Sequence, residues 1–183
     1  YDERYMAELT LRRDGSSNFG PSHKWATFPS VSLGWNITNE PFMQNRPSQI
    51  SALKLRGSWG LNGNESIGSF RYISTVTSGV GYILGPEGLN VIKPGVTPVA
   101  YPNDQLKWEQ SEQYNVGLDA GFFGNSLTFT IDWFNKRTNG MLMTVPLPQY
   151  IGNSRPYGNV GDMKNTGVEM DVRYRFAKGD FNF

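Results

Sequence analysis

The chain has 183 residues, a formal net charge of +1 and no cysteine; 14% of it is aromatic, 18% is charged, and 21 residues are glycine. A charge so close to zero supplies no field for nucleic acid or a strongly acidic partner, and the lack of cysteine excludes a disulfide framework and any thiol-based metal or catalytic site. Charged residues fall short of the roughly one quarter usual in soluble domains, and no run of about 18 apolar residues offers a transmembrane helix.

In chain order the dominant pattern is alternation, the mark of strands with one apolar face. The first stretch sets Tyr5, Ala7, Leu9 and Leu11 against Arg4, Glu8, Thr10 and Arg12, with Met6 as the exception. The second sets Val31, Leu33, Trp35 and Ile37 against Ser30, Ser32, Gly34, Asn36 and Thr38. The third opposes Leu53, Leu55, Gly57, Trp59 and Leu61 to Lys54, Arg56, Ser58 and Gly60. The fourth opposes Tyr114, Val116, Leu118, Ala120 and Phe122 to Gln113, Asn115, Gly117, Asp119 and Gly121. The fifth sets Leu127, Phe129, Ile131 and Trp133 against Thr128, Thr130 and Asp132, and the sixth Val168, Met170, Val172, Tyr174 and Phe176 against Glu169, Asp171, Arg173 and Arg175. Phe181 and Phe183 begin a further strand.

The polar face decides the class. A soluble sandwich turns Lys and Glu to water, whereas this face mixes Gly, Ser, Thr and Asn with isolated charges of both signs, as a water-filled or plugged lumen requires. The opposite face carries almost no charge, which suits lipid. The mean hydropathy of −0.47 is no objection, because in a barrel only alternate residues face lipid. The connections also alternate in length. Phe123–Ser126 and Ala177–Asp180 read as tight turns; 14–23, 61–113 and 139–166 read as longer loops on the opposite side. The link 41–51 is long for a short-turn side, and one helical turn is expected near Phe42. Trp35, Phe122 and Phe123 are placed at one membrane interface and Trp25, Trp59 and Trp133 toward the other, as two aromatic girdles. The fold class expected is therefore all-β: an antiparallel up-and-down transmembrane β-barrel segment of about six to eight strands, spanning 1–183.

Specific blocks of sequence now carry a resemblance. Arg12-Arg13-Asp14-Gly15-Ser16-Ser17-Asn18-Phe19-Gly20 resembles the RxDGSSxFG stretch of the SusC/RagA family of TonB-linked outer-membrane proteins. Trp25, Phe28-Pro29-Ser30-Val31-Ser32 and Gly34-Trp35 follow as that family's next segment. Leu53 to Gly60 with Gly63-Asn64, Leu106-Lys107-Trp108-Glu109, Asn115 to Asp119, Asp132 to Thr138, Asn159 to Gly161 and Asn165 to Glu169 continue in the family's order over nearly the whole chain. The resemblance implies a Bacteroidetes-type outer membrane and a larger plugged barrel of roughly 22 strands. It implies uptake of oligosaccharides or peptides, a SusD-like surface lipoprotein as lid, and energy drawn from the TonB complex. On that expectation the plug, the TonB box and the remaining strands lie outside these residues, and no signal peptide is visible at Tyr1.

Chemistry is not expected. His23 is a lone histidine in a loop without a G-x-S-x-G partner, and scattered carboxylates make a poor metal site. Asp119, Asp132, Glu169 and Asp171 share the polar face with Lys54, Arg173 and Arg175, which reads as a lumen network of opposite charges rather than a pair of glycosidase acids. No cofactor and no nucleic-acid partner is expected. Tyr72, Tyr82 and Tyr101, in the long connection, are the candidate substrate-binding rings, able to stack on sugar faces or to touch the lipoprotein instead. The rival class is a soluble secreted β-sandwich that binds carbohydrate, which predicts charged outer faces and balanced turn lengths.

Overall fold

A computed structural model describes every residue except 85–90, 100, 149, 151, 153, 179–180 and 183. Six long strands form one antiparallel sheet: β1 (Tyr5–Gly15), β2 (Trp25–Asn36), β3 (Ile50–Asn64), β6 (Glu109–Phe122), β7 (Leu127–Thr144) and β8 (Tyr157–Tyr174), in that spatial order. Each strand thus pairs with the strand before it in the sheet by an up-and-down path. A separate hairpin, β4 (Val76–Leu84) with β5 (Val91–Pro98), fills the long connection, and a short ladder pairs β9 (Ala177–Lys178) with β10 (Phe181–Asn182).

The register turns the alternation into two faces. Tyr5, Trp35, Leu55, Leu118, Ile131 and Met170 form one row across all six strands, and Ala7, Leu33, Gly57, Val116, Trp133 and Val168 the row above it. Between them on the opposite face run Met6, Gly34, Arg56, Gly117, Asp132 and Glu169. A one-residue slip anywhere would exchange the faces, so the coherence of these rows is a strong constraint.

The apolar face is not covered by protein. Leu9 is 81% exposed, Leu33 60%, Val168 61% and Met170 63%. Among the described residues only Phe19, Phe28, Leu106, Trp108 and Ala120 are buried hydrophobics. A contiguous apolar sheet face of this extent marks an interaction surface rather than a water-facing one.

The connections sort by end. Residues 16–24, 65–108 and 145–156 join the strands at one end, and 37–49 and 123–126 at the other. The tight turn runs through three left-handed residues, Phe123 (φ 52°), Gly124 (φ 67°) and Asn125 (φ 64°). Ser51 Oγ accepts the N–H of Gly124 at 2.7 Å and of Asn125 at 3.3 Å, which holds that conformation in place. The longer link at the same end is compact: two 3₁₀ turns, Ile37–Asn39 and Pro41–Met43, replace the end of the second predicted strand and include the helical turn expected near Phe42. Thr38 Oγ1 seals it against β3, donating to Leu53 O at 3.2 Å and accepting Leu53 N–H at 2.5 Å.

Four boundaries differ from expectation. The predicted loop 61–113 contains β4 and β5, whose Val, Ile and Thr content favours strand while Gly79, Gly81, Pro94 and Gly95 blur the alternation. The predicted loop 139–166 shrinks to 145–156, because β7 and β8 continue as a ladder past a bulge between Thr138 and Met141. Phe176 lies beyond the end of β8. Ala177 and Lys178 of the expected turn pair as β9 with β10, which includes Phe181; residues 179–180 and 183 lie outside the described residues.

A lipid-facing sheet makes a sharp prediction. Val116 is 50% exposed in mid-sheet on the apolar face. Val116→Arg in the full-length protein is expected to cost about 2–4 kcal/mol when unfolding is followed in phospholipid vesicles. A water-exposed position would change by less than about 0.5 kcal/mol.

Candidate functional site

The polar face is organised by one cation. Arg56, on β3, stands in a row with Gly117 of β6 and Asp132 of β7. Its Nε donates to Asp119 Oδ2 at 2.7 Å and its Nη2 to Asp119 Oδ1 at 3.2 Å and to both oxygens of Asp132 at 3.0 Å. Thr130 Oγ1 adds a donor to Asp119 at 3.1 Å. One guanidinium therefore staples three adjacent strands, using the planar fork that lysine lacks. Glycine at 117 is what leaves room: a β-carbon there would meet the Asp132 carboxylate and lie 2.9 Å from Arg56 Nη2.

The expected network of opposite charges on this face is present, with Arg56 at its centre rather than Lys54, Arg173 or Arg175. Arg173 pairs with Asp171 at 2.8 Å, and Lys54 sits opposite Asp119 in register. Around the lattice the face is lined by Glu8, Ser32, Ser58 and Asn115, which border an open hollow of about 380 Å³.

At the long-loop end of the same face a small core gathers. Phe19 from the first loop, Phe28 from β2, and Leu106 and Trp108 from the end of the long connection are buried together. Trp108 lies 5.2 Å from the Phe19 ring and 5.6 Å, edge-on, from the Phe28 ring. Phe28 packs over Gly63, where any β-carbon would collide with its ring. Polar ties extend the same junction. Asn159 Nδ2 donates to Lys107 O and to Gly140 O, both at 2.8 Å, and Asn159 Oδ1 accepts Lys107 N–H at 3.0 Å. Glu109 accepts the Leu142 N–H at 3.0 Å and the Asn64 Nδ2 at 3.2 Å. Both ends of the long connection are thus fixed to the tops of the strands.

The predicted interfacial rings fall into two groups. At the short-turn end Glu40 Oε1 accepts Tyr5 Oη at 2.5 Å and Trp35 Nε1 at 2.8 Å, with Arg4 3.7 Å from the other oxygen. Phe122 ends β6 there, and Phe123 begins the tight turn. Toward the long-loop end Glu112 Oε1 accepts Trp59 Nε1 at 2.9 Å and Tyr114 Oη at 2.8 Å. Each end therefore has a carboxylate that takes the polar tips of one Trp and one Tyr. Trp25 lies against Gly15 on the apolar face beneath the Arg13 guanidinium, which sits 5.5 Å from its ring. Trp133 is set deeper, in the Val116 row four residues below Arg137.

The spacing of these markers fits a membrane. Trp25 to Trp35 on β2 and Glu112 to Phe122 on β6 are both ten-residue spans. At ~3.3 Å per residue that is ~33 Å of strand, or ~25 Å of height at the usual tilt of about 40°. The pair of edges steps along by four residues between β2 and β6 at both ends. That is the stagger of tilted strands, at a slope of roughly 50° against a usual range of about 35–45°.

The candidate substrate rings stand on three separate parts of the long connection. Tyr72 is partly buried and packs against the rim core and Gly20. Tyr82, within β4, is 49% exposed and Tyr101, after β5, 47%. His23 is half-buried, with a buried Nδ1 that has no partner among the described residues. Among those residues no group of three His, Asp or Glu could hold a metal ion.

Sequence reasoning did not single out Arg56, Glu40, Glu112 or the rim core. The motifs containing Arg56, Phe28 and Trp108 were visible, but their meeting depends on strand register.

The comparisons with known proteins agree with this geometry. The family model described as "TonB dependent receptor-like, beta-barrel" matches residues 1–183. TonB-dependent receptor P3 of Formosa agariphila is 37% identical over 96% of this chain and 17% of its own length, and TonB-dependent receptor SusC of Bacteroides thetaiotaomicron is 36% identical over 92% and 17%. A solved structure of the RagAB peptide transporter superposes with a TM-score of 0.84 at 33% identity, covering 98% of this chain and 19% of that one. The chain spans about a sixth of the length of the curated relatives it matches.

Two predictions follow from the geometry. The Arg56 side chain is 39% exposed, which weakens the pairs below those of a fully buried triad. Arg56→Met is therefore expected to lower barrel stability by about 1–2 kcal/mol, with Asp119→Asn and Asp132→Asn added to it restoring most of the loss; denaturant unfolding of the three proteins measures this. Glu40, outside the strands, is held below its ordinary value of 4.5 by the hydrogen bonds from Tyr5 and then Trp35. Its contribution is complete above that ordinary value and disappears as pH falls through the lowered one. Thermal unfolding should therefore show wild type losing this contribution only in strong acid, and Glu40→Gln lacking it at neutral pH already.

Proposed function

The chain belongs to the SusC/RagA family of TonB-dependent outer-membrane receptors, and from that premise we propose that it forms wall and extracellular loops of a larger plugged barrel importing oligosaccharides, or peptides. The family is one of transport proteins rather than enzymes, and its members sit in the bacterial outer membrane. The end carrying 16–24, 65–108 and 145–156 is then extracellular, and the end with the tight turn periplasmic, as long outer loops and short inner turns require.

The observation that carries this reading is the two-faced sheet. One face is apolar and uncovered between two sets of aromatic side chains; the other holds the Arg56 lattice among serine, asparagine and glycine. No bond-making chemistry is needed in such a wall. It has to stay rigid while a plug beside it moves, and the staple across β3, β6 and β7 supplies stiffness on the side facing the plug. A SusD-like lipoprotein would cap the outer end, and the TonB complex would act through a plug outside these residues.

Substrate capture is assigned to the long connection. Tyr82 and Tyr101 present half-exposed rings suited to sugar faces, and Tyr72 contributes the free edge of a ring that otherwise braces the rim. The RagAB structures are described as a peptide transporter and importer, which keeps peptide as the second substrate class.

The test uses the full-length receptor with its lipoprotein, measuring binding of neutral oligosaccharides and of peptides by calorimetry. Tyr82→Ala and Tyr101→Ala together are expected to weaken oligosaccharide binding about tenfold, with peptide binding and outer-membrane assembly unchanged. Peptide binding reduced instead would make peptide the cargo. Unchanged binding of both classes would remove these rings from capture.

A further inference from the structure

We propose that Arg137 and Lys164 form a binding site, on the outside of the barrel, for a phosphate of a phosphorylated glycolipid in the outer leaflet. The proposal rests on the reading that the apolar face meets lipid and that the long-loop end is extracellular.

Arg137 and Lys164 are cross-strand partners on β7 and β8. By parity both lie on the apolar face, in line with Ile131 and Trp133 on one strand and Val168 and Met170 on the other. Both are exposed. With Glu112, Tyr114, Asn135 and Asp162 they line a shallow cleft of about 410 Å³.

The formal charges of this cleft balance, Glu112 and Asp162 against Arg137 and Lys164, and what separates the two kinds is how they are bonded. Glu112 is taken by Trp59 Nε1 and Tyr114 Oη. Asp162 Oδ1 accepts the Gly140 N–H at 3.0 Å. Neither Arg137 nor Lys164 forms a salt bridge among the described residues. Each carboxylate thus gives one oxygen to donors of the wall while keeping its charge, and the two cations stand exposed without an ion-pair partner among the described residues.

Their height selects the ligand. Arg137 is the register partner of Glu112, and carrying the two-residue step per strand on from Glu112 puts the edge of the band on β7 at Asn135, two residues inward of Arg137. At ~3.3 Å per residue and ~40° of tilt, the guanidinium leaves the wall ~5 Å beyond the aromatic row, where hydrocarbon gives way to headgroups. A lipid-facing Arg or Lys is strongly disfavoured at the midplane and nearly tolerated near the interface. No Arg, Lys, Asp or Glu occurs on this face of β7 or β8 between this row and Leu127 or Tyr174. A phosphate accepts two parallel hydrogen bonds from a guanidinium and a point-charge contact from an ammonium, which is what a neighbouring Arg and Lys offer. The ring of Tyr114 below supplies a surface for the lipid's sugar or upper acyl carbons.

The experiment takes the full-length receptor purified from outer membranes and counts bound glycolipid by native mass spectrometry. The probes are the phosphorylated outer-leaflet glycolipid and the same lipid after phosphatase treatment. The expected result is a loss of about fivefold in retained phosphorylated glycolipid for each cation removed, in Arg137→Gln, Lys164→Gln and the double variant, since each cation near an anionic surface contributes on that scale. Lys136→Gln, which alters a charge on the opposite face, should leave retention unchanged. Equal retention by wild type and the double variant overturns the proposal, as does equal binding of the dephosphorylated lipid. Displacement by inorganic phosphate alone would show a small-anion site and also overturn it. Should the double variant fail to assemble, the two single variants carry the test. Wild-type protein absent from the outer-membrane fraction would be a failure of the barrel reading itself, visible before any lipid is counted.

Discussion

Everything in this structure depends on a backbone that satisfies its own hydrogen bonds strand to strand while its side chains alternate between two solvents. In hydrocarbon an unpaired N–H or C=O costs several kcal/mol, so only ladders and helices survive there. A sheet built this way need not enclose a core. Among the described residues only five hydrophobic side chains are buried, four of them in the rim cluster above the hollow. What stands in for a core is lipid on one side and a charge lattice on the other.

The polar groups that this arrangement strands at its edges are dealt with locally. An indole N–H or a phenol near the hydrocarbon boundary needs an acceptor. Glu40 and Glu112 each supply one to a Trp and a Tyr together, at opposite ends of the band. On the polar face the same logic runs in reverse. Asp119 and Asp132 lie on a diagonal between neighbouring strands, and a single guanidinium over a glycine bonds to both. The glycines at 63 and 117 are therefore spatial requirements, set by the Phe28 ring and by the Arg56–Asp132 contact, rather than features of flexible backbone.

The six wall strands were legible because a period of two survives in any strand with one apolar face, and the matching rows bear out that assignment. The hairpin β4–β5 was hidden because Gly79, Gly81 and Gly95 interrupt the period and neither face is uniformly apolar. The outer parts of β7 and β8 were hidden because the bulge after Thr138 shifts the phase, and because both strands have passed the apolar band, where alternation carries no signal. Arg56 was placed on the correct face but not at the centre of the lattice: its partners are 63 and 76 residues away, and only register brings them together. The rim core eluded the pattern for a related reason. Phe28 shares the face of Ser30 and Ser32, so alternation alone gives it a polar position. The family resemblance marked Phe28 and Trp108 as belonging to motifs without saying that the two motifs touch.

That contact separates the long connection into two mechanical parts. Its far end is tied to the wall through Leu106, Trp108 and the Asn159 bridge, and its start at Asn64 is tied across to Glu109. The hairpin between them forms its own two-stranded sheet and, among the described residues, joins no strand of the wall. Displacing the hairpin therefore breaks no ladder of the barrel, whereas displacing the rim would uncover Phe19, Phe28, Leu106 and Trp108 together. On such a mounting the hairpin can shift while the Arg56 lattice beneath is kept. The wall's rigidity and the loop's freedom then have a common origin: the apolar contacts of the loop are concentrated at its roots, and the hairpin is left to pair with itself.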